Sequence, residues 1–155
     1  MIEQGSEHNI YWTKDAFSMN HTFFEDGEVV GFIQDKLTNR SSKASLFGKK
    51  FLFEREGFFK ARMNILDLEK KNITGRIDFH RFQPKAKILL NNTIYGWKFT
   101  NILQTRWELA NRSELIIVSA DSRKEGYCTL EDPDTPLLLL SSLIIRNFFT
   151  KQGQA

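Results

Sequence analysis

The stretch Thr135-Pro-Leu-Leu-Leu-Leu-Ser-Ser-Leu-Ile-Ile-Arg-Asn-Phe-Phe-Thr-Lys151 decides the fold. Its apolar residues surround most of a helical cylinder, because Leu137 to Leu140 fill one turn and Leu143 to Ile145 continue that surface. A surface helix needs only one apolar stripe, so this helix should be buried on nearly every side. It is too short to cross a bilayer, which needs about 20 apolar residues, and Arg146 interrupts it. The pattern predicts a central helix over 135–151, enclosed by the preceding chain.

The preceding chain, over 17–130, reads as about ten short strands separated by turn signals. Leu46 to Arg55 is predicted as one strand, whereas the polar, Ser-rich segment from Leu37 to Ser45 is predicted as a loop. Successive hairpins indicate an antiparallel sheet, and a sheet this long tends to curl or close. The predicted fold is mainly β, an antiparallel β-barrel closed around the hydrophobic C-terminal helix. The alternative is a β-sandwich with a docked helix.

Length and composition favour one domain over 1–155, with a flexible polar segment at 1–9. Phe accounts for 14 of the 155 residues, which favours a β-rich core. A lone cysteine, Cys128, is compatible with a reducing compartment, and the N-terminus lacks a signal-peptide pattern. We therefore expect a cytoplasmic protein that is not transmembrane. The net charge of +3 is mild and permits contact with phosphate or an anionic membrane.

The sequence contains no motif that predicts catalysis, a metal site or a cofactor. The three histidines, His8, His21 and His80, are far apart and lack metal-ligand spacing. Cys128 has no nucleophile signature around it and reads as a small buried hydrophobe. Acidic pairs such as Asp132 and Asp134 fall in predicted turns, where carboxylates are common. An enzyme with a pocket that no linear motif reveals is the least favoured of the functional readings.

Together with this order of elements, the segments Tyr95-Gly-Trp-Lys-Phe and Arg106-Trp-Glu-Leu-Ala-Asn resemble the superfamily of the Tubby C-terminal domain and its LURP-one and phospholipid-scramblase relatives. The resemblance covers roughly 17–151 and is one of pattern. It implies a closed antiparallel barrel threaded by a hydrophobic C-terminal helix, with twelve strands in the usual plan. It also implies recognition of a phosphoinositide headgroup by a Lys-x-Arg pair on a strand, which Lys60-Ala61-Arg62 is similar to.

Three functional hypotheses remain open at this point. The first is a non-enzymatic intracellular binding module for an anionic lipid headgroup or another small anion, peripheral at a membrane, with Lys60 and Arg62 as ligand-binding residues. The second is a protein-protein interaction domain without a small ligand, which requires an exposed apolar patch. The third is the enzyme, which requires a cleft with clustered titratable groups. Nucleic acid is not expected as a partner, since basic and acidic residues are mixed along the chain.

Overall fold

The computed structural model describes residues 7–36, 40–57 and 61–153, which form twelve strands and one helix. The elements in chain order are β1 (His8–Lys14), β2 (His21–Glu25), β3 (Glu28–Gln34), β4 (Ser41–Leu46), β5 (Lys49–Arg55), β6 (Arg62–Asp67), β7 (Asn72–Phe79), β8 (Lys85–Leu90), β9 (Thr93–Phe99), β10 (Trp107–Ala110), β11 (Ile116–Ala120), β12 (Glu125–Leu130) and α1 (Thr135–Gly153).

The strands form one antiparallel sheet that curls into a nearly closed barrel. Each strand from β1 to β11 pairs with the next along the chain, and β1 also pairs with β12, so the sheet order runs from β11 back to β1 and then to β12. β11 and β12 lie side by side and complete the circle without a hydrogen-bonded ladder. The predicted mainly β class and antiparallel barrel are confirmed.

The helix α1 fills the barrel. Residues 137–147 are buried without interruption, so every face of these three helical turns lies against the strands. The inward side chains of the strands meet it from all directions, among them Trp12 on β1, Phe53 on β5 and Trp97 on β9, each no more than 1% exposed. This all-round burial confirms the enclosed helix and excludes a helix docked on one face of a sandwich.

Asp134 is the N-cap residue of the helix. Its carbonyl accepts the first intrahelical bond, from the amide of Leu138. The Asp132 carboxylate accepts bonds from the amides of Asp134 and Thr135 and from the Thr135 hydroxyl. An acidic side chain therefore satisfies the exposed amides at the positive end of the helix dipole.

Of the segment 1–9 that is predicted to be flexible, His8 and Asn9 belong to β1, which pairs with β12 from His8 onward. Two sequence predictions about the strands are wrong. The predicted loop from Leu37 to Ser45 overlaps β4, Ser41–Leu46. The predicted single strand from Leu46 to Arg55 contains a hairpin turn at Phe47–Gly48, where both residues have positive φ (53° and 79°).

Glycine is required at one closely packed point of the β1–β12 pair. Trp12 lies directly opposite Gly126, and its indole atoms lie 2.5–2.7 Å from where a Cβ of residue 126 would stand. Any side chain at position 126 would displace a fully buried tryptophan.

Candidate anion-binding end of the barrel

The two ends of the barrel differ in the length of their loops. We call the end where α1 terminates the basic end; its described loop residues are 15–20, 35–36, 40, 56–57, 61, 80–84, 100–106 and 121–124. The end where α1 begins is the acidic end; there the turns at 26–27, 47–48 and 91–92 are two-residue hairpins with positive φ at both positions, and the connections 68–71 and 111–115 have four and five residues. Longer loops on a rigid scaffold are where binding residues usually lie.

Charge separates between these two ends. Among the described residues of the basic end and the last turns of α1, basic side chains outnumber acidic ones. The basic ones are Lys14, Lys36, Arg40, Arg55, Arg62, Arg81, Lys85, Lys98, Arg106, Arg123, Lys124, Arg146 and Lys151, and the acidic ones are Asp15, Asp35, Glu54, Glu56, Asp78, Asp121 and Glu125. The described part of the acidic end has the opposite balance. Its acidic side chains are Glu25, Asp26, Glu28, Asp67, Glu69, Glu114, Glu131, Asp132 and Asp134, and its basic ones are Lys49, Lys50, Lys70, Lys71 and Arg112.

The basic end also exposes large apolar side chains on three loops. Phe17 is 99% exposed, Phe82 is 89% exposed, and Ile102 and Leu103 are 99% and 74% exposed. Burial of apolar area favours contact with a less polar partner, so a loop tip that carries such a side chain beside basic residues suits an anionic membrane surface. The same side chains also provide the exposed apolar surface that a protein-protein interface requires.

The predicted ligand residue Arg62 lies at the first position of β6, at the basic end. Its Nε donates to Asp78 Oδ1 at 3.0 Å, and its Nη1 is 3.9 Å from Glu56 Oε2. The Asp78 carboxylate is shared with Arg76, whose Nε is 3.2 Å away. The charge of Arg62 is therefore already matched by carboxylates on the outer wall. The other predicted residue, Lys60, lies outside the described residues.

A groove of about 700 Å³ runs over the outer wall next to this ion pair. Asp78 forms one edge, and Gly96 and Ala110, which directly face each other across β9 and β10, line it. Lys85, Lys87 and Lys98 also line it, and Lys98 Nζ lies 3.8 Å from Glu108 Oε1. These lysines come from two strands, so no short sequence motif could have grouped them.

The buried carboxylate of Asp35 has a structural role. Lys151 Nζ on the last turn of α1 lies 2.5 Å from Asp35 Oδ1, and the Ser42 hydroxyl donates to the same oxygen at 2.8 Å. Asn147 Nδ2 donates to Asp35 Oδ2 and to the carbonyl of Met19, both at 2.9 Å. Both oxygens are thus occupied, and the network ties the end of the helix to β4 and the 15–20 loop.

The remaining candidate reactive groups are held in structural environments. Burial, and after it the charge of Glu131, raises the pKa of the Cys128 thiol to about 12, so the thiolate is scarce at neutral pH. His8 Nδ1 bonds Glu25 Oε2 at 2.6 Å, and His80 Nδ1 accepts the amides of Phe82 and Gln83 in a turn. Within 7–36, 40–57 and 61–153, no group of three or more His, Cys, Asp or Glu side chains could hold a metal ion.

Fold and charge define this chain as an antiparallel β-barrel with an enclosed C-terminal helix and one basic, long-looped end. No protein-family model, no curated protein and no solved structure matches it. In the part of the chain that the structure describes, no helix has the length and hydropathy needed to cross a membrane.

Proposed function

We propose that this protein is a non-enzymatic binding module that docks its basic end on a membrane surface and recognises anionic lipid headgroups there. The observation that carries the proposal is the separation of charge between the two ends of the barrel, with the longer loops at the basic end. An anionic membrane attracts basic side chains near its surface by about 1 kcal/mol for each Lys or Arg. In this proposal the chain is a cytoplasmic protein, peripheral at the membrane.

The apolar loop tips add a second contribution to the same contact. Phe17, Phe82, Ile102 and Leu103 would enter the boundary between headgroups and acyl chains, while the surrounding basic side chains stay at the phosphates. A barrel with an enclosed C-terminal helix is also consistent with the plan of the Tubby, LURP-one and scramblase superfamily, for which such recognition is the implied function.

Arg62 can take part in this contact despite its two carboxylate partners. An ion pair between half-exposed side chains contributes only about 0–1 kcal/mol, so a doubly charged headgroup phosphate can replace Asp78 and Glu56 at the guanidinium. Lys60 precedes it by two residues in the chain and belongs to the same proposed site.

The test is vesicle co-sedimentation with neutral phosphatidylcholine, with added phosphatidylserine, and with added phosphatidylinositol bisphosphate, at low and high salt. We expect the parent to bind only the anionic vesicles and to be released by salt. Lys60→Ala/Arg62→Ala should weaken binding about thirtyfold, the equivalent of about 2 kcal/mol for two surface charges. Lys70→Ala/Lys71→Ala, which removes the same charge from the acidic end, is the matched control and should bind like the parent.

Two results would contradict the proposal. One is no binding to any vesicle, which would favour a protein partner for the exposed apolar side chains. The other is an equal loss of binding in the two double variants, because the contact would then depend on net charge and not on the basic end.

A further inference from the structure

The helix carries a buried guanidinium of which two nitrogens have no partner. Arg146 lies on α1 near the basic end and is only 3% exposed. Its Nε and Nη1 are shielded from solvent and have no hydrogen-bond partner among the described residues. Burying an ion without an opposite charge costs several kcal/mol, and each unmet donor adds to that cost. The interior beside Arg146 therefore lacks an acceptor that carries negative charge.

Other buried polar groups of this region also lack hydrogen-bond partners, among them the acceptor Asn147 Oδ1. His21, at the start of β2, is 2% exposed and neither ring nitrogen has a hydrogen-bond partner of good geometry. Its ring lies 5.6 Å from that of Trp12, whose Nε1 is also buried and unpartnered. Ser142, one helical turn before Arg146 and on the same face, has an unpartnered hydroxyl as well.

The charges that act on these groups are positive. Burial, and after it the charge of Arg123, lowers the pKa of Arg146 to about 10. Burial, then Arg146, then Lys14 lower the pKa of His21 to about 3, so its ring is neutral at pH 7. The buried carboxylate at this end of the barrel, Asp35, is already occupied by Lys151, Ser42 and Asn147.

We propose that the mouth of the barrel beside β12, β1 and β2 is a binding site for a phosphate-type oxyanion, with Arg146 as its main ligand. A guanidinium fork matches two oxygens of such a group, and a phosphate has further oxygens for the Trp12 indole and the Ser142 hydroxyl. Lys14 at the end of β1 and Arg123 in the 121–124 loop supply the remaining positive charge at the entrance. The 121–124 loop is held in place by a bond from Arg123 Nη2 to the carbonyl of Leu103, at 2.7 Å.

This site does not depend on membrane docking. Its main ligand lies inside the barrel, whereas Arg62 and the apolar tips lie on the outer wall and the loops. The phosphate could be free in solution or belong to a lipid headgroup, and the experiment separates these two sources.

The first measurement is thermal unfolding of the full chain in inorganic phosphate and in chloride at equal ionic strength. The parent should melt about 8 °C higher at a phosphate concentration one hundred times its dissociation constant. Arg146→Met should melt above the parent in chloride, because the unpaired buried charge is gone, and should gain nothing from phosphate. Arg112→Met, which removes an exposed guanidinium at the acidic end, is the matched control and should keep the full phosphate response.

The second measurement reads the site in the parent and does not require that Arg146→Met folds. In a phosphate titration followed by nuclear magnetic resonance, the indole N–H signal of Trp12 should shift. The indole N–H signals of Trp97 and Trp107 should not shift, because these two rings stack with each other and Trp97 also stacks on Phe149, away from the proposed site. Lys14→Gln, at a half-buried position, should reduce the affinity for phosphate about tenfold.

The third arm uses the phosphoinositide vesicles. If inorganic phosphate is inert but Arg146→Met or Lys14→Gln selectively weakens binding to phosphoinositide over phosphatidylserine vesicles, the oxyanion is a lipid headgroup and the site stands. The inference is overturned if Arg146→Met keeps the parent's phosphate response. It is also overturned if phosphate moves neither the melting temperature nor the Trp12 signal and these variants bind phosphoinositide vesicles like the parent. The second of these results would leave vesicle binding by the basic end intact, so the two proposals fail separately.

Discussion

Replacing Leu138 and Leu140 one at a time by Ala tests whether the helix is enclosed on all sides. The two residues are two positions apart on α1 and therefore point about 200° apart around its axis. Leu138 is 2% exposed and Leu140 is fully buried. In a helix that lies on one face of a sheet, one of two such positions would face solvent. In a helix that fills a barrel, both substitutions remove buried methyl groups and leave a cavity.

The expected cost is about 3 kcal/mol for each substitution, in the range seen for buried Leu→Ala changes. An unfolding entropy of about 2.1 cal/mol/K per residue over the 155 residues gives about 0.3 kcal/mol/K for the domain. Each variant should therefore melt about 10 °C below the parent. Both costs should be similar, because the strands surround the helix and neither cavity can collapse toward solvent.

The assay is urea unfolding together with thermal unfolding of the parent and the single variants. Leu115→Ala is the control, because Leu115 is 63% exposed and its loss should change the free energy of unfolding by less than about 0.5 kcal/mol. The reasoning would be refuted if either Leu138→Ala or Leu140→Ala had an effect as small as that of the control.

Two further predictions concern the buried polar groups. Lys151→Met should lower the free energy of unfolding in urea by about 3 kcal/mol, because it leaves the Asp35 carboxylate buried without a cation. Adding Asp35→Asn should recover part of that loss. A double variant less stable than Lys151→Met would contradict the pairing. The pKa of His21 is about 3 in the folded state and 6.5 in the unfolded state. Between these pH values only the unfolded state binds the extra proton, so the free energy of unfolding falls as the pH drops from about 6.5 toward 3. This residue should contribute a slope of about 1.4 kcal/mol per pH unit, which His21→Gln should remove and His80→Gln should retain; equal slopes in both variants would refute the assignment.

The architecture could be predicted because a single segment carries its main constraint. A helix that is apolar all round requires an enclosure, and a chain of short strands can supply it only by closing a sheet. The strand β4 is predicted as a loop because its inward side chains lack the apolar alternation of a strand. Its inward residues Ser42 and Ala44 are small, since the helix occupies the interior, and Ser42 is satisfied by Asp35. Small and polar inward residues do not produce the alternating pattern that identifies a strand.

The two candidate sites also differ in how far the sequence could predict them. Lys60 and Arg62 were accessible from the sequence because they are two residues apart and match a short motif. The cluster of Trp12, His21 and Arg146 was not, because its members come from β1, β2 and α1 and meet only in the closed barrel. One signal was present in the sequence, namely an arginine inside an otherwise apolar helix. Where that helix is buried all round, such a residue needs a partner, and that partner has to come from outside its own segment.

The contrast between the polar side chains of α1 is the strongest argument for a ligand at Arg146. Lys151, on the last turn, faces a buried carboxylate at 2.5 Å, and the amide of Asn147 is shared between that carboxylate and the Met19 carbonyl. The fold thus compensates the Lys151 ammonium and the Asn147 Nδ2 with groups of its own, while Asn147 Oδ1 is buried and unpartnered. If Arg146 were only tolerated, an acidic side chain could compensate it in the same way, but the charged group that acts on it most strongly is Arg123. A buried guanidinium on which another arginine acts most strongly is stabilised when an anion binds to it, and the Arg146→Met and phosphate experiments measure whether one does.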